Sequence, residues 1–278
     1  MSISEQLTHS TIRIECVING GQISTGTGFL FNFLQQGEVY VPTIVTNKHV
    51  VEGSISGSFR FTMADDNGNP LYGQHKVYNI SDFQNVWIPH PDPNVDLCIM
   101  PTALIFNQLT KEGIKVFHKA IDKSLIFKQD ELDNLTALED VIMIGYPNGL
   151  WDTVNNLPII RKGITATHPR FNFNSKEEFL IDAACFPGSS GSPVFLFNPS
   201  GYTDNNGKTM LGAPRIKLLG ILYAGTQHTV TGEIRVINIP VRQEQIALSG
   251  IPNNLGFIIK AYKLFDFEPI LEKRLALE

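Results

Sequence analysis

The sequence predicts an all-β protein made of short antiparallel strands, and three observations lead to this prediction. Apolar and β-branched runs recur along the chain from residue 11 onward, each about as long as a strand. Clusters of Gly, Asn, Asp and Pro separate these runs, as they do in turns between strands. The chain has 278 residues, of which 42% are hydrophobic. That length and composition suffice for two β-domains of about 100 residues each.

A first group of strands is predicted over residues 11–102, after a loose or helical lead-in over residues 1–10. Its six strands are expected at residues 11–19, 26–33, 40–51, 59–63, 74–80 and 95–102. Residues 103–137 break the strand pattern and predict a partly helical linker. A helix over residues 107–126 would carry four evenly spaced lysines on one face, namely Lys111, Lys115, Lys119 and Lys123. We expect this face to be solvated, with binding of a partner as the alternative.

A second group of strands is predicted over residues 138–249. Its strands are expected at residues 139–147, 157–165, 178–183, 194–197, 216–224 and 234–239, followed by a closing helix at residues 243–249. A tail occupies residues 250–278. Pro269 near the start of an apolar stretch predicts a short helix there, over residues 270–277.

The segment from Gly188 to Pro193, Gly-Ser-Ser-Gly-Ser-Pro, predicts a tight turn that leads into a strand. Its glycines permit sharp backbone conformations, so a serine in this turn is exposed beside converging N–H groups. Such a serine is typical of a catalytic nucleophile. Clusters of Gly, Ser and Pro are also common in ordinary loops, so this segment alone leaves both interpretations open.

A serine hydroxyl becomes an effective nucleophile when a histidine accepts its proton and a carboxylate orients that histidine. His49 lies near the end of the apolar run at residues 40–51, and Asp96 opens a later apolar run. The candidate triad therefore appears in the order His49, Asp96, Ser190. The remaining histidines occur in no matching motif: His9, His75, His90, His118, His168 and His228.

These residues resemble the catalytic motifs of trypsin-like (chymotrypsin-fold) serine proteases, and within them the bacterial HtrA-type branch. The resemblance covers about residues 11–248. It rests on Thr46–His49 for T-x-x-H, Asp96-Leu97 for D-[IL]-A, Asp182–Pro193 for D-A-A-x-x-P-G-N-S-G-G-P, Gly26–Leu30 for an early strand, Leu219–Gly225 for the substrate-binding strand and Ile239-Pro240 for the end of the last strand.

The resemblance implies two six-stranded antiparallel β-barrels, the first barrel over residues 11–102 and the second barrel over residues 138–249, with a linker helix and a C-terminal helix. It assigns Ser190 as nucleophile, His49 as general base and Asp96 as the carboxylate that orients it. The backbone N–H groups of Gly188 and Ser190 would form the oxyanion hole. The rivals are Ser189 and Ser192 for the nucleophile, and Asp92, which lies in a Pro-Asp-Pro turn, for the carboxylate.

By the same resemblance, Ala184 lies at the base of the primary specificity pocket. The expected walls are Cys185, Phe186, Tyr223, Ala224, Gly225 and Thr226. No acidic residue occurs among them, so an apolar residue is expected before the scissile bond. Cys185 is expected to be a wall residue rather than the nucleophile. Ser189 stands where trypsins activated by N-terminal cleavage have an Asp, so that activation is not expected here.

Composition excludes several other classes of protein. The net charge of −5 argues against a nucleic-acid-binding surface. The three cysteines form no disulfide framework, and neither a signal peptide nor a membrane span is recognisable. We therefore expect a cytoplasmic, bacterial protein.

No cofactor or metal site is expected, because Cys and His residues do not cluster at ligand spacing. The residues after Ser249 are too few for the PDZ domain that HtrA-type enzymes usually carry.

The sequence thus predicts a serine endopeptidase that cleaves protein or peptide substrates through an acyl-enzyme. The alternative from another class is a binding or scaffold protein with a protease fold and an inactive triad. A third interpretation is a latent enzyme that a protein partner activates or restrains.

Overall fold

The computed structural model describes residues 1–18, 20–233 and 246–276. After a short helix α1 (Ile3–Thr8), the N-terminal half forms a sheet of nine strands in the described part of the chain. They are β1 (Thr11–Ile18), β2 (Ile23–Gln36), β3 (Val39–Thr46), β4 (Ser54–Ala64), β5 (Pro70–Ser81), β6 (Ile88–Pro89), β7 (Cys98–Pro101), β8 (Val116–Phe117) and β9 (Ile121–Asp122). The main path runs β5-β4-β1-β2-β3-β7-β6, with β8 on β4 and β9 on β2. Every strand predicted for the first barrel has a counterpart on this path.

Alternation along β2 explains how this sheet is packed on both faces. Phe29, Phe31 and Phe33 are buried in one apolar cluster, whereas Leu30 between them is buried in another. Successive side chains of a strand point to opposite faces, so one strand can supply both clusters. The first of these clusters also contains residues of the C-terminal half, among them Ile144.

The linker is partly helical, as predicted, but its first helix lies earlier than expected and the lysine face does not form. Helix α3 covers only Ala103–Lys111, and Gly113 follows it with a φ of 72°. A left-handed glycine commonly ends a helix, and here the chain then extends to form β8 and β9. The later lysines therefore lie outside α3, and Lys123 begins a separate 3₁₀ turn. Lys115, for example, pairs with Asp66 at 2.9 Å.

The C-terminal half contains a closed six-stranded barrel, in the order β10-β11-β12-β17-β16-β13. Its strands are β10 (Asp140–Gly145), β11 (Ile159–Thr165), β12 (Glu178–Asp182), β13 (Pro193–Asn198), β16 (Arg215–Glu233) and β17 (Ile246–Lys260). A short helix α4 (Gln129–Asp133) precedes the barrel, and a hairpin of β14 (Gly201–Thr203) and β15 (Thr209–Leu211) extends from it. The predicted all-β class is confirmed.

The last barrel strand lies later in the chain than predicted. The expected strand at residues 234–239 lies outside the described residues, as does part of the expected helix at residues 243–249. Residues 246–249 belong to β17 rather than to a helix, and the supposed tail supplies the rest of that strand. Ile258 and Ile259 explain this, because they are buried in two different apolar clusters and so belong to the barrel wall.

The C-terminal segment packs back onto both halves. A 3₁₀ helix over Ala261–Phe267 leads into α5 (Glu268–Leu275), which agrees with the helix predicted after Pro269. Leu264, Phe267 and Leu271 are buried in the same cluster as Phe31. None of the helices in the described ranges is long and apolar enough to cross a bilayer.

Candidate active site

His49 lies on a short helical turn at the end of β3. The strand stops at Thr46, and helix α2 (Lys48–Val51) follows, whereas the sequence predicted a strand through to residue 51. Val50 and Val51 are buried on the inner side of this turn. His49 is directed outward instead, and 45% of its side chain is exposed.

Asp96 lies directly beside His49. Its Oδ2 is 2.5 Å from His49 Nδ1, and its Oδ1 accepts a hydrogen bond of 3.2 Å from the His49 backbone N–H. The buried Asn47 side chain donates to the Asp96 carbonyl at 2.7 Å. The carboxylate therefore contacts both the ring and the backbone of His49. This arrangement suits a carboxylate that fixes the tautomer and orientation of an imidazole.

The turn before Ser190 has a defined conformation. The Ser189 N–H donates to the Phe186 carbonyl at 3.0 Å, and Gly188 has a φ of 84°. Pro at the second position and a left-handed Gly at the third are typical of a type II turn. A side chain at Gly188 would also lie 2.6 Å from the Tyr146 carbonyl oxygen. Glycine is therefore required at this position.

The hydrogen bonds of this turn leave two N–H groups without an acceptor. The Pro187 carbonyl accepts from the Asn148 N–H at 2.6 Å, and the Ser189 carbonyl accepts from the Ser192 N–H at 3.0 Å. In a trans peptide the N–H points away from the C=O, so these bonds direct the N–H groups of Gly188 and Ser190 to the opposite side. Among the described residues, neither N–H has a protein acceptor. Both are free to bind an anionic oxygen.

Ser190 differs from the two serines beside it. Ser189 and Ser192 are 1% and 0% exposed, and their hydroxyl oxygens are buried without a hydrogen-bond partner in the structure. Ser190 is half-buried and lines a cavity. Among the described contacts, no hydrogen bond joins the Ser190 hydroxyl to His49. Hydrogen bonds between catalytic side chains are often long in structures without substrate and tighten when substrate binds.

A cavity of about 250 Å³ opens beside Ser190. Its lining consists of Cys185, Phe186, Pro187, Ser190, Leu222, Tyr223, Ala224, Gly225 and Thr226. It thus brings together every residue expected in the pocket except Ala184. Gly256 on β17 also belongs to this region, since a side chain there would lie 2.6 Å from Cys185 Sγ.

Sequence reasoning missed Arg161 on β11. Its guanidinium donates to the Ala184 carbonyl and lies 4.8 Å from the centre of the Phe186 ring. Burial lowers the pKa of Arg161, but a guanidinium keeps its charge in proteins. No carboxylate forms an ion pair with it within the described part of the chain. Alternation along β11 alone could not have indicated this contact.

The cysteine thiols are buried and free. Burial is the main cause that raises the pKa of Cys185 to about 11. A thiol with that pKa is protonated at neutral pH, and only the thiolate is a strong nucleophile. In the residues that the structure describes, no three His, Cys, Asp or Glu side chains are grouped to hold a metal ion.

A family model for the trypsin-like peptidase domain matches residues 26–201, more than half of the chain. The chain belongs to the trypsin-like peptidase family. The match includes His49, Asp96 and Ser190. No curated protein sequence matches the chain.

Several solved structures of proteases are similar in fold. Catalytically active tobacco etch virus protease with its product has a TM-score of 0.50 and 11% identity, with coverage of 98% of this chain and 82% of that chain. The HtrA-type protease AlgW with a tripeptide has a TM-score of 0.49 and 16% identity, and 96% of this chain spans 61% of that chain. The active form of the Rv3671c protease from M. tuberculosis has a TM-score of 0.43 and 16% identity, with coverage of 95% and 80%. At these identities the likeness concerns the fold alone.

Proposed function

We propose that this protein is a serine endopeptidase. In this proposal Ser190 attacks the peptide carbonyl, His49 accepts its proton and then donates it to the leaving amine, and Asp96 stabilises the imidazolium. Water then hydrolyses the acyl-enzyme by the same route. The observation that carries the proposal is the pair of unbonded N–H groups, on Gly188 and Ser190, beside an accessible serine.

The two N–H groups would act on charge that appears only as the tetrahedral intermediate forms. Each such donor contributes roughly 3–4 kcal/mol to transition-state stabilisation in a well-studied protease. Because neighbouring bonds already direct both groups, little reorganisation is needed when the oxyanion forms. The geometry thus supports acyl transfer by serine.

A free strand edge beside Ser190 supports an extended peptide as substrate. β13 pairs with β16 only as far as Ile221. Beyond it, the edge at Tyr223–Thr226 that faces away from β17 has no strand partner among the described residues. An extended peptide can pair with such an edge through its main chain. We propose that substrates bind there, with the side chain before the scissile bond in the cavity.

The buried free thiols support a reducing compartment, and we propose that the enzyme works in a bacterial cytoplasm. Regulation by a protein partner is part of the proposal, because an unrestrained protease would be harmful there. The alternative of a latent or inactive triad is favoured by one observation, the missing bond between Ser190 and His49 in the described contacts.

A fluorophosphonate probe tests the proposal, since it reacts covalently with an activated serine. We expect labelling of the native protein and none of Ser190→Ala. Peptide cleavage by Ser190→Ala should fall to about 10³–10⁴-fold over uncatalysed hydrolysis. Ser192→Ala is the matched control and should retain labelling. Labelling that persists in Ser190→Ala and disappears in Ser192→Ala would show that Ser192, and not Ser190, is the nucleophile. A native protein that never reacts would support the inactive alternative.

A further inference from the structure

Thr27, in the Gly26-Thr27-Gly28 motif of β2, contacts the Ser190 turn although it belongs to the N-terminal half. Its side chain is fully buried. The Thr27 hydroxyl donates to the Gly188 carbonyl at 2.9 Å and accepts from the Tyr146 N–H at 3.0 Å. Since Tyr146 occupies a lone pair of the hydroxyl, the single hydroxyl proton is free to point at Gly188.

The backbone of Thr27 contacts the same turn. Its N–H donates to the Ser190 carbonyl at 2.9 Å, and its own carbonyl accepts from the Thr46 hydroxyl at 2.7 Å. A side chain at Gly191 would overlap the Thr27 carbonyl, so the two segments are in direct contact. Thr27 thus binds the carbonyls on either side of the Ser189 peptide unit, namely those of Gly188 and Ser190.

The Thr27 hydroxyl also joins the two segments that orient the oxyanion donors. Tyr146 directly precedes the turn at Pro147–Gly149, in which Asn148 holds the Pro187 carbonyl. The Gly188 carbonyl belongs to the next peptide of the Ser190 turn. The Thr27 hydroxyl therefore links two segments. One is the turn at Pro147–Gly149, which directs the Gly188 N–H, and the other is the Ser190 turn, to which that N–H belongs. Without this hydroxyl, the Gly188 carbonyl and the Tyr146 N–H would both lose a buried partner.

We propose that Thr27 is a positioning residue that holds the oxyanion hole in its binding conformation. It touches neither substrate nor reacting atoms and acts through the peptides of residues 187–190. This inference rests on the proposed serine endopeptidase function. It predicts that loss of the hydroxyl lowers kcat while KM changes little, because the oxyanion forms after substrate has bound.

The test compares three variants by steady-state kinetics on a peptide ester and by the rate of fluorophosphonate labelling. Thr27→Val keeps the size of the side chain but lacks the hydroxyl, and its kcat should fall about 10- to 100-fold, somewhat less than after loss of a whole donor. Thr27→Ser keeps the hydroxyl and should stay within about threefold of native kcat. Thr43→Val is the matched control, because the buried Thr43 hydroxyl donates to the Phe31 carbonyl at 2.9 Å in the same sheet. Its kcat should not change.

A kcat of Thr27→Val within about threefold of native would overturn the proposal, as would an equal loss in Thr27→Ser or Thr43→Val. If Thr27→Val does not fold, Thr27→Cys replaces it, since a thiol is a weak donor and should give a kcat below that of Thr27→Ser. Crystal structures of the native protein and the variant give a readout that needs no activity. We expect the peptides at Gly188 to rotate or become disordered in the variant, and an unchanged turn would contradict the inference. If the native protein is not labelled at all, the proposed function fails, while this structural readout still decides the role of Thr27.

Discussion

The two halves of the candidate site are built in different ways. In the C-terminal half, the Ser190 turn is defined by main-chain hydrogen bonds, and its chemically useful groups are backbone N–H groups. In the N-terminal half, the useful groups are the side chains of His49, on the short helix α2, and Asp96, in the loop before β7, and both are partly exposed. The conformation of the Ser190 turn is therefore fixed by its main-chain bonds. The position of the His49 ring depends instead on one pair of side chains, His49 and Asp96.

This difference determines how each half responds to mutation. Substitutions other than those to proline leave a backbone N–H in place, so the oxyanion side is best changed through residues that hold its peptides, such as Thr27. His49 and Asp96 can be changed directly. Variants of the histidine side should consequently show large losses with an intact oxyanion hole.

Asp96→Asn should give the largest effect that separates the two halves. The amide keeps the size of the side chain but cannot stabilise the imidazolium, and it favours the wrong tautomer of His49. We expect kcat to fall about 10⁴-fold, as for the equivalent change in a well-studied triad. Substrate affinity and the thermal midpoint should change little. Stopped-flow acylation would measure the rate and the substrate affinity, and thermal unfolding would measure the midpoint.

Asp92→Asn provides the matched control, because Asp92 is the neighbouring carboxylate in the same loop. Its Oδ1 accepts from the Asn94 N–H at 2.9 Å, and it forms no bond to His49. Activity of this variant should stay near that of the native protein. A large loss in Asp92→Asn with a small loss in Asp96→Asn would reverse the assignment of the carboxylate.

The sequence indicated the candidate residues of the site, but not the contacts that hold them. Motifs indicated His49, Asp96 and Ser190, and the structure brings His49 and Asp96 into contact. The anchors of the Ser190 turn were not predictable, because Thr27 and Asn148 reach it through contacts between segments far apart in sequence. Arg161 was missed for the same reason.

The last barrel strand shows another limit of the sequence. The Ile239-Pro240 pair resembled the end of a strand and fixed the expected barrel boundary too early. The run that contains Ile258 and Ile259 looked like part of a tail, although it pairs with both β12 and β16. Local patterns indicate that a strand exists, but only the closure of the barrel decides which strand completes it.

A smaller effect concerns the pocket beside Ser190. Among the residues that the structure describes, its lining contains no carboxylate, and the Arg161 guanidinium lies against Phe186 at its wall. A Lys or Arg side chain entering the pocket would bring its charge close to another positive charge without an anionic partner. We expect kcat/KM for Lys or Arg before the scissile bond to be at least about tenfold below that for Val, Ala or Leu. A positional-scanning peptide library measures this.

The variant Arg161→Met, assayed with the same peptide library, separates the effect of the Arg161 charge from the effect of its side-chain shape. The variant keeps a long side chain beside Phe186 but removes the cation. Discrimination against Lys and Arg should weaken, and turnover of peptides with Val should change little. A Lys or Arg optimum in the native protein would mean that another part of the chain supplies a carboxylate to this pocket.

The smallest effect is expected at Cys185, which the sequence predicted to be a wall residue of the pocket rather than the nucleophile. Its thiol is buried beside Gly256, and burial raises its pKa to about 11. The thiolate, which is the form that reacts with iodoacetamide, becomes abundant only as the pH approaches that value. At pH near 7.5 iodoacetamide should therefore leave the activity intact. Cys185→Ala removes a small buried hydrophobic group and should keep kcat/KM within about threefold of native. Labelling by the fluorophosphonate should persist in this variant and be absent from Ser190→Ala. Rapid inactivation by iodoacetamide, with loss of labelling in Cys185→Ala, would show that the Cys185 thiol, and not the Ser190 hydroxyl, is the nucleophile.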